Sequence, residues 1–365
     1  MSILDGLSAD WFELLSERLG ADYDFNARAR ATGALLRGRI VRTGQTLVHL
    51  CLAYGFGGLS FRSTAAFAEA SELAALSDVA VMKRLHGCPD FLTEIACRLV
   101  ARRSAEGPLP EAGRRLRLID ATAVSRPGSS GTDARLHLCL DPDGVGTSQI
   151  ELTDVHGGEK LTRFAFSPGD IVLADSAYAR CGQIEHALGQ GADVLLRAGI
   201  NSLAFAPEAG GEPPPALADW LAGVPAGDDL VERGYVLRAT GTDPPRPVRL
   251  IALRLEPAVS RQRARRAKRK ARDNKGGQSP AAAIAAQWLI LVTTLPAETY
   301  PPRRAVELYR VRWQVELAFK RLKSLTAFAE VRAKKPALIK VHLLANLIVA
   351  LLAENQAAIM AAIPP

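Results

Sequence analysis

The chain has 365 residues, 48% of them hydrophobic, and carries 46 Lys and Arg against 38 Asp and Glu, a formal net charge of +8. That apolar content suffices for two or three domains with cores of their own and excludes a disordered chain. The positive balance favours a polyanionic partner, nucleic acid ahead of membrane.

Five cysteines, Cys51, Cys88, Cys97, Cys139 and Cys181, are scattered and show no Cys-x2-Cys pair that would start a zinc site. They fit a reduced compartment, so a cytoplasmic protein is expected. Met1 is followed by a polar, acid-containing start without a signal-peptide core. The longest apolar run, 343–353, contains Asn346 and is too short to span a bilayer, so a buried helix and no membrane are expected.

Residues 11–103 read as helices only, with leucine and alanine at helical spacing, broken at 54–58 and 87–89. They predict a helical N-terminal domain, 1–110. Arg28, Arg30, Arg37, Arg39 and Arg42 charge its early part; Ser63 and Ser77 are candidate helix caps, the second ahead of Lys83 and Arg84. Two readings stand, a helix-turn-helix-like reader of DNA ends and a plain bundle with solvated arginines.

After a Gly/Pro linker, 116–124 is a strand-like run ending near Asp120, and 134–140 and 147–155 are two further strands. Residues 159–166 predict a short helix. Apolar 171–174 then runs into Asp175, a helix follows over 182–188, and 193–197 makes a fifth strand ending at Arg197. Asp141 and Asp143 read as turn formers, and Asp170 as the opening of a strand. Asp120 and Asp175 differ in following apolar strand runs, where an unpaired carboxylate is costly. Each taken alone is open to a catalytic or a turn-capping reading.

From 200 to 300 the composition shifts to Pro/Gly-rich loops with strand candidates at 230–239, 248–255 and 288–294, a β-rich insertion. Within it residues 260–275 hold nine Lys and Arg and one Asp, a solvated basic arm or a phosphate-contacting one. Residues 309–323 predict a basic amphipathic helix with one acid in the middle. Val315, Ala318, Phe319 and Leu322 form its apolar stripe, while Tyr309, Arg312, Glu316 and Lys323 share one broad face. Pro336 sits well at the start of a last helix reaching about 356, expected to pack on the sheet of the second domain.

The spacing Tyr309-x2-Arg312-x3-Glu316-x6-Lys323 resembles the signature of bacterial cut-and-paste insertion-sequence transposases with an Asp-Asp-Glu triad. The resemblance covers nearly the whole chain. It implies an α/β fold, a ribonuclease-H-like mixed sheet with a β-rich insertion, preceded by an all-α domain. The catalytic domain would be 111–199 and 301–333, split by the insertion at 200–300, with a C-terminal helix in 334–365. In that fold the first and fourth strands are neighbours, which would join Asp120 to Asp175.

The family's chemistry implies Asp120, Asp175 and Glu316 as catalytic residues and ligands of two Mg²⁺ or Mn²⁺ ions. Tyr309, Arg312 and Lys323 would contact phosphates. Trp288 is either a platform for a base flipped out in a hairpin intermediate or a core residue of its strand. Relatives commonly have an arginine after the second aspartate. Ser176 stands there in this chain, and Arg180, four positions on, is the candidate substitute. Arg197 and the basic run Arg265, Arg266, Lys268, Arg269 and Lys270 complete the expected DNA contacts. The implied partner is double-stranded DNA, transposon ends and target, bound by a homodimer. A metal-dependent nuclease that does not join strands and a non-catalytic DNA-binding descendant are the alternatives.

Overall fold

The computed structural model describes residues 9–104, 114–124, 131, 134–140, 149–207, 211–240, 244–273, 279–312, 331, 333 and 335–362. Six helices come first: α1 (Ala9–Leu19), α2 (Phe25–Ala31), α3 (Gly44–Gly55), α4 (Phe61–Ala70), α5 (Asp78–His86) and α6 (Pro89–Ser104). Strands β1 (Leu116–Val124), β2 (Ala134–Leu140) and β3 (Gln149–Asp154) follow, then β4 (Ile171–Ala174), α7 (Cys181–Gly189) and β5 (Asp193–Arg197). The remainder is β6 (Phe205–Ala206), α8 (Leu217–Ala222), β7 (Leu230–Leu237), β8 (Arg246–Arg254), α9 (Pro257–Asp273), α10 (Pro280–Ala285), β9 (Trp288–Thr293), α11 (Pro302–Arg310) and α12 (Pro336–Ala362). The protein is a mixed α/β chain of two compact units. One takes the described residues up to 104, those within 121–157 and those from 331 on; the other takes 114–120 and 158–312.

In the first unit the helices begin where short polar side chains satisfy free backbone N–H groups. Asp24 accepts from Asn26 and Ala27 to open α2, and Thr43, Ser60 and Ser77 open α3, α4 and α5. The expected cap Ser63 instead lies in the first turn of α4, where its N–H is the group that Ser60 accepts from. The last helix departs from expectation twice. Its stretch Pro336–Ala353 has a mean hydropathy of 2.0 and is long and apolar enough to cross a bilayer, but 67% of it is buried in protein, as in a core helix. It packs on α1, α3, α5 and α6, among the N-terminal helices. The fit is steric: a Cβ on Gly55 would lie 2.6 Å from that of Ala345, so only glycine lets α3 approach. Asn346 Nδ2 then donates to the Gly55 carbonyl at 3.2 Å. In the same unit β2 and β3 form an antiparallel pair. All five cysteines are free.

In the second unit β1, β4 and β5 are parallel neighbours, in the order expected from the strand pattern. Strand β4 is four residues, Ile171 to Ala174, all buried, as a central strand covered on both faces should be. Strands β9, β8, β7 and β6 continue the sheet from β5 by antiparallel pairing, so they extend it and form no separate sheet. The expected helix at 159–166 is only a 3-10 turn, Leu161–Arg163. The N-terminal ends of the parallel strands are tied by ion pairs. Asp170, 1% exposed, meets Arg115 Nε at 2.9 Å, and Arg114 pairs with Asp193 and donates to the Gly169 carbonyl. This gives Asp170 a structural partner, consistent with its expected place at the head of a strand.

Candidate active site

Away from those ion pairs lie the two acids, Asp175 directly after β4 and Asp120 midway along β1. The β1–β4 register pairs Leu116 with Ile171, Arg117 with Val172 and Leu118 with Leu173, so two steps further Asp120 is level with Asp175. The β4–β5 register pairs Ala174 with Leu196, and one step further Asp175 is level with Arg197. Two carboxylates and a guanidinium thus lie in one row across three adjacent parallel strands, Asp175 just after β4 and Arg197 at the end of β5, while Asp120 is the fifth of the nine residues of β1, which runs on to Val124. The residues before them, Leu118, Ile119, Leu173, Ala174, Leu195 and Leu196, are at most 2% exposed, whereas Asp120, Asp175 and Arg197 are partly exposed. Strands β4 and β5 end here, at the carboxyl ends of parallel strands, where open α/β sheets bind their ligands, while β1 continues to Val124.

Asp175 also serves the turn. Its Oδ1 accepts the Ala177 N–H at 2.8 Å and its carbonyl the Tyr178 N–H at 3.3 Å, steering the chain from β4 toward α7. The turn-forming and chemical readings are therefore compatible, because one carboxylate oxygen suffices for the turn.

Tyr309 lies in the last turn of α11 and is 7% exposed. Helix α11 ends at Arg310 with Val311 as its cap, so no single helix runs unbroken from Tyr309 through 323, as the sequence had predicted. Burial pushes the Tyr309 phenol up to about 12. The charges of Arg312 and Arg197 pull against that rise and that of Asp175 adds to it, which makes all four groups electrostatic neighbours. The Arg312 Cζ lies 5.4 Å from the Tyr309 ring centre. Glu316 and Lys323 lie outside the described residues.

One further group was not singled out by its position in the sequence. Arg263 of α9 donates through Nη1 to the Trp288 carbonyl at 3.0 Å. Burial, then the charge of Arg197, holds it below the ordinary arginine range, while Tyr309 opposes that fall. A signal existed. Ser260, Arg263, Ala264, Ala267 and Ala271 recur at helical spacing as the less exposed face of α9, and Arg263 is the one cation among them. Arg265, Arg266, Lys268 and Arg269 are exposed, and Lys270 belongs to the same helix.

Trp288 is 2% exposed, at the start of β9, and the Arg254 guanidinium lies 4.2 Å from its ring centre across the β8–β9 pair. Of its two readings, this burial matches the core residue. Arg180 is exposed at the N-cap position of α7.

A family model described as "Transposase DDE domain" matches residues 111–352. The InsL protein of insertion sequence element IS186A from Escherichia coli K12 is 35% identical over 357 residues, 95% of this chain and 93% of its own length. The transposase for insertion sequence element IS421 of Escherichia coli is 35% identical over 358 residues, with the same coverage. The chain belongs to the DDE transposase family. The transposase for insertion sequence element IS231F of Bacillus thuringiensis subsp. israelensis shares 32% identity over 107 residues, 29% of this chain and 22% of its own. A DDE transposase acts on DNA. Among the described residues no three His, Cys, Asp or Glu side chains cluster as a metal site. The two aspartates are nonetheless hard oxygen donors at one level, the donor type that divalent cations such as Mg²⁺ take.

Proposed function

We propose that this transposase cuts the ends of its insertion sequence and joins them to target DNA, with Asp120, Asp175 and Glu316 as its acid triad. The observation that carries the reading is the row of Asp120, Asp175 and Arg197 across β1, β4 and β5. Two Mg²⁺ or Mn²⁺ ions would be held by the aspartates together with Glu316. When bound, such ions activate the attacking oxygen and stabilise the leaving oxygen of an in-line phosphoryl displacement.

The chain's own groups orient the strand. Arg197 and Arg312 act on Tyr309 together with Asp175, and Arg263 lies in the field of Arg197; this positive charge would offset the repulsion between the acids and a phosphate. Tyr309, neutral through the physiological range, contributes an O–H donor. Lys323 and Arg180 are proposed as further phosphate contacts, and Arg265, Arg266, Lys268, Arg269 and Lys270 of α9 as contacts to flanking duplex. For Trp288 we favour the core role; stacking on a flipped base would require Arg254 to leave its ring. Binding of DNA ends by the helical unit, a homodimeric complex and action in the cytoplasm, where the DNA is, belong to the same proposal.

The test is to incubate the full chain with Mg²⁺, a plasmid holding its reading frame with the native flanks, and a second plasmid as target. The proposal expects an excised segment and covalently joined products. Cut ends without joined products would make it a nuclease, and binding without cutting a non-catalytic descendant.

A further inference from the structure

The first unit carries a surface that the active site does not explain. From Phe25 to Ala68 the sequence has six arginines and no Asp or Glu. Between α2 and α3 this stretch runs without helix or strand, and its tip reads Leu36-Arg37-Gly38-Arg39-Ile40, every residue exposed. Leu36 and Ile40, at 82% and 53%, are the most exposed large apolar side chains among the described residues. Val41 just after them is fully buried and Leu35 just before them is 3% exposed, so the tip is held on a packed base. Arg84 of α5 reaches the Arg37 carbonyl at 3.4 Å, and Lys83 beside it is exposed.

Gly38 supplies the decisive detail. Its φ is not positive, and a Cβ built on it would meet nothing closer than Arg42, at 3.9 Å. Among the described residues neither a close contact nor a positive φ calls for glycine there. A glycine between two arginines would suit a partner that approaches the backbone closely. The minor groove of duplex DNA is about 6 Å wide and has its strongest negative potential where it narrows over A·T runs, which draws arginine in. Apolar side chains flanking such arginines wedge between base steps.

We infer that the Leu36 to Ile40 tip is a minor-groove reader: Arg37 and Arg39 run along the groove floor, Gly38 lets the backbone descend between them, and Leu36 and Ile40 wedge at either side. The ligand is duplex DNA with A·T pairs at the contacted steps. The inference rests on DNA being the substrate, and it adds a recognition element remote in sequence from the triad.

Three duplexes of equal length, A·T, I·C and G·C, separate the grooves, because I·C shows the A·T pattern in the minor groove and the G·C pattern in the major groove. The full chain should bind A·T and I·C alike and G·C at least about fivefold more weakly. Arg37→Ala/Arg39→Ala should erase that preference and lower the salt slope by about 0.9 per lost phosphate contact, with the thermal midpoint unchanged. Gly38→Leu, whose Cβ would meet nothing closer than 3.9 Å in the free protein, should erase it too, with the thermal midpoint measured alongside. I·C siding with G·C, or a preference that survives either variant, would overturn the reader. Failure of the unaltered chain to bind any duplex would instead sink the DNA-cutting proposal on which it rests.

Discussion

Arg197 ends β5 level with Asp175 at the end of β4, one register step beyond the paired Ala174 and Leu196. A cation beside an acid at a sheet end is often an ion pair, but among the described residues Arg197 makes no ion pair, and its field is felt at Tyr309 and Arg263. The charges of Arg312 and Asp175 reach Tyr309 as well. In the reaction proposed above, a DNA phosphate is the anion that these arginines would meet.

Arg263 and the exposed face of α9 should separate in kinetics. Replacing Arg265, Arg266, Lys268 and Arg269 by alanine should weaken binding to all sequences alike and reduce the salt slope by about 0.9 per lost phosphate contact. Arg263→Ala should leave that slope nearly unchanged while depressing cleavage by roughly 10²-fold, the scale seen when a charge-stabilising donor is lost. Equal effects of both on binding and none on the cleavage step would return Arg263 to the solvated set.

Tyr309 makes a pH statement. Its folded value is raised from 10.0 to about 12, so its neutral form is favoured by folding; the contribution is complete below pH 10 and disappears as pH climbs toward 12. Thermal midpoints of the native protein and of Tyr309→Phe should therefore draw together across that interval. Cleavage should show no Tyr309-dependent inflection at neutral pH; an inflection there that Tyr309→Phe abolishes would contradict the assignment.

Trp288→Ala opens a cavity in a buried strand and removes the surface on which Arg254 lies. A cost of about 3 to 5 kcal/mol is expected, with nicking and any hairpin product falling together. An unchanged midpoint with selective loss of the hairpin would restore the base-stacking role.

The strand segments were legible in the sequence because apolar runs and turn residues mark them directly, whereas the adjacency of β1 and β4 came from the topology that the family resemblance implied. Asp120 and Asp175 stood out by following apolar runs, but that position alone left a turn-capping role as open as a chemical one, and their place in a triad rested on the resemblance. Arg263 was hidden because a dense basic stretch masks which of its cations turns inward, something only the alanine stripe of the helix reveals. The seat of the last helix was misjudged, since a uniformly apolar helix carries no mark of the surface that covers it. That surface was set by a contact between Gly55 and Ala345 far apart in sequence. Trp288 was ambiguous because a tryptophan in a strand is the same letter whether its ring faces a core arginine or a base.

The central claim is that the acids act in the reaction and are dispensable for holding DNA. Asp120→Asn, Asp175→Asn and Glu316→Gln each keep side-chain size and remove a charge; Asn at 175 retains an oxygen for the Ala177 turn bond. The direct measurement is Mg²⁺-dependent cleavage and strand joining by each purified variant, alongside its affinity for the same DNA. The account predicts that all three variants bind and none cuts or joins. Cleavage by Asp120→Asn or Asp175→Asn at the unaltered rate would contradict it.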